Sequence, residues 1–200
     1  MPADISGGPD YCGILLAAGH SRRFGSDKLT HALPDGTPVA LASLRALQAV
    51  LPRTLAVVRA DSHALIEALK NSGAEVVVAP DAEDGKSSGM GHSLAAGIAA
   101  SSQAHGWIVA LADMPYIQPT SIAQVLRALA RGAALAAPWH HGQRGHPVGF
   151  SAQFRDELLA LRGDEGARSV LLRHEDLIDL LECADAGVLR DIDTRADLSE

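Results

Sequence analysis

Residues 13 to 28 read GILLAAGHSRRFGSDK. Ile14, Leu15 and Leu16 carry no polar alternation, the pattern of a strand covered on both faces. Ala17, Ala18 and Gly19 then end the run in small residues, and Arg22, Arg23 and Lys28 follow within nine positions. A central strand opening into such a loop places the loop at the carboxyl edge of a sheet, where doubly wound α/β proteins bind ligands. Small residues let backbone N–H groups approach an anion, and Arg23 and Lys28 add mobile cations. The competing reading is an ordinary turn followed by solvated surface cations.

Outward from this stretch, short apolar runs alternate with amphipathic ones. The pattern predicts strands at 11–17, 54–60, 74–80, 106–113 and 133–139, with helices over 39–50, 62–73, 91–102 and 119–132. That succession of βαβ units predicts a Rossmann-like, doubly wound, mostly parallel α/β sheet. Beyond residue 150 the order is less regular: a helix over 151–161, another over 166–174 and a last strand over 188–194. Residues 1–10, with two prolines and two glycines and no periodicity, read as a flexible leader, so the expected domain is 11–200.

Composition narrows the function. At 200 residues and 47% hydrophobic the chain suits one core, and a formal net charge of −7 gives no basic field for long nucleic acid. No apolar run approaches the roughly 20 residues of a membrane span. Cys12 and Cys183 are the sole cysteines and no signal-like segment opens the chain, so a cytoplasmic protein without disulfides is expected.

Two phosphate motifs fail against the opening loop. GHSRRFG spaces its glycines wrongly for the dinucleotide fingerprint, and PDAEDGKSS (80–88) puts Pro80 where a P-loop needs its first glycine. A third fits. LLAAGHSRRFGSDK resembles the L-A-A-G-x-S-x-R-M-G-x-x-K motif of the MobA-like nucleotidyltransferases, most closely their molybdenum cofactor cytidylyltransferase branch, with Phe24 in place of methionine. SGMGHSLAAG (88–97), LADMP (111–115), GQRGHPVGF (142–150), RGDEGAR (162–168) and DIDTRAD (191–197) follow in the family's order, the last with Arg195 in place of proline.

The resemblance implies a fold of the nucleotide-diphospho-sugar transferase type. It also implies transfer of CMP from CTP to the terminal phosphate of the molybdopterin cofactor, with Mg2+, release of pyrophosphate, and a molybdenum hydroxylase as client. Ala18, where the guanylyl branch has glycine, favours cytosine by resemblance. The alternatives are cytidylyl transfer to another phosphorylated acceptor, such as a sugar or polyol phosphate, and a non-catalytic carrier of the molybdenum cofactor.

Such a transfer needs cations on the triphosphate oxygens. Arg23 suits the β- and γ-phosphates by its planar fork, and Lys28 suits the α-phosphate as a compact charge. Leu16, Ala17, Ala18, Gly19, Ser21 and Gly25 complete the nucleotide loop. Asp113, at the end of the apolar run 106–113, is a hard oxygen ligand for Mg2+; its other reading is a helix cap near Pro119. Asp191 and Asp193 alternate on the expected last strand, as further metal ligands, acceptor contacts or caps.

Gly91, His92 and Ser93 open a helix whose N-terminus suits nucleotide binding, with Ser93 alternatively an N-cap. Pro80 and Asp81 end a strand where a ribose or base would lie. Arg144, His146 and Arg168 are expected to bind the acceptor. A zinc reading of His140, His141 and His146 lacks any nearby cysteine or acid in sequence.

Overall fold

The computed structural model describes residues 10–19, 24, 27–80 and 89–198. Eight strands form one sheet: β1 (Tyr11–Ala17), β2 (Thr54–Val58), β3 (Glu75–Val78), β4 (Gly106–Leu111), β5 (Leu135–His140), β6 (Gln143–Arg144), β7 (Val148–Ser151) and β8 (Ile178–Glu182). Their order is β3-β2-β1-β4-β7-β5-β6, with β8 also pairing β5. The β3-β2-β1-β4 half is parallel, β7 is antiparallel to β4 and β5, and β8 runs parallel to β5. Helices α1 (Val39–Gln48), α2 (His63–Asn71), α3 (Met90–Ala100), α4 (Pro119–Ala130), α5 (Arg155–Leu159) and α6 (Arg168–Arg173) connect them.

Alternate strand residues feed two cores, as the pleat requires. Leu15, Ala56, Ile108 and Ala136 pack under α1, α2 and α4, while Ile14, Leu55, Trp107 and Leu135 pack under α3, α5 and α6. Burial on both faces is why β1, β2 and β4 read as unbroken apolar runs. The close approach of α3 needs Gly97, where a Cβ would lie 3.0 Å from Val57 and 3.1 Å from Ile14. No helix among the described residues is long and apolar enough to cross a membrane.

The irregular third differs from expectation. Residues 188–194 form no strand: Asp185 caps a 3-10 turn at Ala186–Leu189 by accepting from the Gly187 N–H, and the chain then runs extended without a ladder. The helix over 151–161 is a 3-10 turn at Ala152–Phe154 followed by the single-turn α5. β6, β7 and β8 have no counterpart among the expected strands. β8 lacks alternation because it is an edge, with Leu180 47% exposed.

Candidate functional site

The carboxyl ends of β1 and β4 lie side by side, held by the Ala112 N–H donating to the Leu16 carbonyl at 3.0 Å. Ala17 and Ala18 are buried, whereas Gly19 is exposed, and among the described residues a Cβ there would meet nothing within 4 Å. Phe24 folds back into the core, its ring edge-on to His31 at 5.3 Å. The substitution for methionine is therefore a packing choice.

Asp27 caps the 3-10 turn Lys28–Thr30 by accepting from the Leu29 N–H, and Leu29 is buried. Burying Leu29 sets Lys28 facing the end of β4. Its Nζ donates to Asp113 Oδ2 at 2.7 Å, to the Ile192 carbonyl at 2.8 Å and to Asp193 Oδ1 at 3.4 Å.

Asp193 arrives from the far end of the sequence. Ile192 is fully buried, so its neighbours Asp191 and Asp193 point the other way. The Ile192 N–H donates to the Asp113 carbonyl at 2.8 Å, and Asp197 Oδ2 accepts from the N–H groups of Asp193 and Thr194. The turn-capping acid here is thus Asp197 rather than Asp191 or Asp193, and the residue at the N-cap of α4 is Gln118 rather than Asp113.

The charges in this cluster are coupled. Burial alone would lower the Lys28 pKa, but the hydrogen bond and charge of Asp113, and then Asp193, hold it above the ordinary lysine value. The Asp191 carboxyl is pushed up, first by burial and then by the charges of Asp193 and Asp113. Three carboxylates therefore converge near one ammonium.

Among the described residues no three His, Cys, Asp or Glu side chains are gathered as a ready-made metal cage. Mg2+ does not need one: it is held by one or two carboxylates and completed by substrate phosphates and waters. Hard oxygen donors from Asp113 and Asp193 fit that ion.

One residue that sequence reasoning missed organises this corner. Asp185 is buried, and its carboxylate accepts from the Gln118 N–H at 2.8 Å, Ser121 Oγ at 2.8 Å and the Gly187 N–H at 2.9 Å. It pins the start of α4 to the turn that leads into 191–193. The local Asp-x-Gly turn was legible; its partners 67 and 64 positions away were not.

His146 lies beside this turn, its N–H donating to the Val188 carbonyl at 2.9 Å, and Gly145 packs so tightly that a Cβ would lie 2.5 Å from the same oxygen. Burial, and secondarily the charge of Arg144, lowers the His146 pKa to about 4 against an opposing pull from Asp113. Its Nδ1 is buried with no hydrogen-bond partner among the described residues. His140 Nδ1 instead donates to the Cys183 carbonyl at 2.9 Å, and His140 lines, with His141, Glu182 and Cys183, a separate cleft at the ends of β5 and β8. The three histidines of the zinc reading are not gathered on one metal.

The N-terminus of α3 is engaged by the RGDEGAR segment. The Gly91 N–H donates to the Gly163 carbonyl at 2.8 Å, and His92 Nδ1 accepts from the Gly163 N–H at 3.0 Å. Ser93 donates back to the Gly89 carbonyl and is not the N-cap, which is Gly89. Pro80 is exposed two residues past β3, two strands from β1. Arg168 is exposed at the start of α6, whose Val170 and Leu171 pack on the face opposite Leu29. The structure thus gathers Lys28, Asp113, Asp191 and Asp193 with His146 in electrostatic reach, and sets Arg168 apart. Ser21, Arg23, Gly25 and Asp81 lie outside the described residues.

Comparison with known proteins bears on the family and the fold. A MobA-like NTP transferase domain matches residues 13–177. Purine catabolism protein PucB of Bacillus subtilis (strain 168) is 34% identical over 200 residues, covering 93% of each chain. Nicotine blue oxidoreductase of Paenarthrobacter nicotinovorans is 30% identical over 194 residues, again covering 93% of each. Among solved structures, Rv0371c from Mycobacterium tuberculosis H37Rv superposes with a TM-score of 0.82 at 25% identity, covering 96% of each chain. A manganese complex of Rv0371c superposes at 0.76 with 22% identity, covering 95% of this chain and 96% of that one.

Proposed function

The chain belongs to the MobA-like NTP transferase family, and from that premise we propose that it moves CMP from CTP onto the terminal phosphate of the molybdopterin cofactor, releasing pyrophosphate. The observation that carries the reading is the Lys28–Asp113–Asp193 cluster at the carboxyl ends of β1 and β4. An acceptor phosphate oxygen attacks the α-phosphorus, a P–O bond forms, and the bond to the β-phosphate oxygen breaks. Negative charge builds on the α-phosphate and on the leaving group, so fixed positive charge does most of the catalysis.

Lys28, held by Leu29 beneath and by carboxylates beside it, is the cation for the α-phosphate. Arg23 is assigned to the leaving pyrophosphate, with the Leu16–Gly19 backbone, Ser21 and Gly25 around the triphosphate. Asp113 and Asp193 would hold Mg2+, with Asp191 behind them; bound there, the ion neutralises phosphate charge and lowers the barrier to displacement. Pro80, Asp81, Gly91, His92 and Ser93 are assigned to the ribose and base. Arg144, His146 and Arg168 are assigned to the acceptor. That a structure of the same fold, Rv0371c, is a manganese complex is in keeping with a divalent cofactor. The motif resemblance supports cytosine and molybdopterin.

The test is pyrophosphate release with each of the four triphosphates, Mg2+ and molybdopterin cofactor, repeated with sugar and polyol phosphates as acceptors. CTP with the cofactor is expected to turn over fastest. A faster reaction with another acceptor transfers the reading to that substrate, and no release with any triphosphate removes catalysis altogether.

A further inference from the structure

We propose that Lys28 and the divalent cation compete for the same carboxylates, so that Lys28 occupies the cation's position until nucleotide arrives. This rests on the transferase reading of the site. Lys28 Nζ is 2.7 Å from Asp113 Oδ2 and 3.4 Å from Asp193 Oδ1, bridging the two acids that come 80 residues apart in sequence. The ammonium is no stray surface charge: its side chain is 12% exposed, and the Ile192 carbonyl, itself fixed by the Ile192 N–H on Asp113, takes a third donor at 2.8 Å.

A divalent ion bound by Asp113 and Asp193 would sit about 2.1 Å from their oxygens. Those are the oxygens the ammonium now contacts, and a +1 and a +2 charge cannot share them without strong mutual repulsion. The catalytic lysine therefore has two positions. In one it neutralises the acids and completes their hydrogen bonds; in the other it is released toward incoming phosphate while the metal takes the acids.

Nucleotide favours the second position because a triphosphate supplies negative charge for Lys28 and further oxygens for the ion. Two consequences follow for the free protein. Its affinity for a divalent cation is low without nucleotide, and metal and nucleotide bind with positive coupling. The device keeps a cluster of three carboxylates stable when no substrate is present. It also keeps the lysine ordered, with Leu29 buried under it, so little rearrangement separates the two positions.

The test is Mn2+ binding to the full chain without nucleotide, followed by electron paramagnetic resonance of free Mn2+. Lys28→Met, which keeps the length and removes the charge, is expected to bind Mn2+ about tenfold or more tightly than the natural protein. Lys28→Arg, which keeps the charge, is expected to stay within about threefold. Adding Asp113→Asn to Lys28→Met is expected to abolish the gain. Equal Mn2+ affinity in the natural and Met proteins, an equal gain in the Arg protein, or a gain that survives Asp113→Asn each overturns the proposal.

A second readout needs no variant. Saturating Mn2+ is expected to speed amine labelling of Lys28 relative to the exposed Lys70, read by mass spectrometry; no change overturns the competition. The transferase reading fails separately, through absence of pyrophosphate release. Tighter Mn2+ binding in Lys28→Met supports the competition whichever way that assay falls.

Discussion

At the scale of single residues, the proposed chemistry rests on one ammonium, Lys28, and the carboxylates of Asp113 and Asp193 that it contacts. Lys28→Ala is expected to lower pyrophosphate release by about 10² or more, because an oriented charge at the reacting phosphorus is lost; turnover within tenfold of the natural protein would remove Lys28 from catalysis. His146 makes a different prediction. Its pKa is about 4 in the folded chain against 6.5 for an ordinary histidine, so between these values the unfolded chain binds more protons. The contribution of His146 to stability is therefore constant above pH 6.5 and is lost as the pH drops toward 4. Urea unfolding at pH 7 and pH 4.5 should show a loss about 2 kcal/mol larger in the natural protein than in His146→Gln. Parallel losses would mean that the buried ring is not the titrating group.

Among the elements, α3 and the segment between residues 162 and 166 form a tight joint. A Cβ on Gly89 would collide with Asp164 Oδ1 and the Gly163 backbone, although its φ of −61° and ψ of −179° are open to alanine. Gly89→Ala is thus a purely steric probe, expected to cost about 1–3 kcal/mol and to raise hydrogen exchange across 162–166. Exchange unchanged there would show that the joint is not tight in solution. This joint also marks a limit of sequence reading. GHSLAAG reads correctly as the start of a helix, but the Gly91 and His92 bonds to Gly163 span more than 70 positions and leave no local trace. The last segment misled for a related reason. Val188 and Ile192 are buried, which resembles a strand, yet their backbone groups bond to His146 and Asp113 rather than to a ladder.

For the whole molecule, the parallel half was legible because burial on both faces leaves apolar runs such as YCGILLA, which is β1 residue for residue. β8 was not, since it keeps Leu180 exposed and shows no period. The site divides in the same way. Lys28 and Asp113 stand out at strand ends, whereas their meeting with Asp193, 165 and 80 positions away, is a product of the fold. That convergence has a global consequence. A nucleotide seated at the carboxyl edge ties β1's loop to β4 and to the 191–193 segment, so binding should stabilise the whole cooperative unit. CTP with Mg2+ at about 100 times its Kd is expected to add about 2.7 kcal/mol, which for a domain of this size raises Tm by roughly 5–10 °C. Asp113→Asn should abolish the shift while leaving Tm without ligand close to that of the natural protein, because Lys28 retains Asp193 and the Ile192 carbonyl. A shift as large with GTP as with CTP would overturn the cytosine preference, and a full shift in Asp113→Asn would place the nucleotide elsewhere on the sheet.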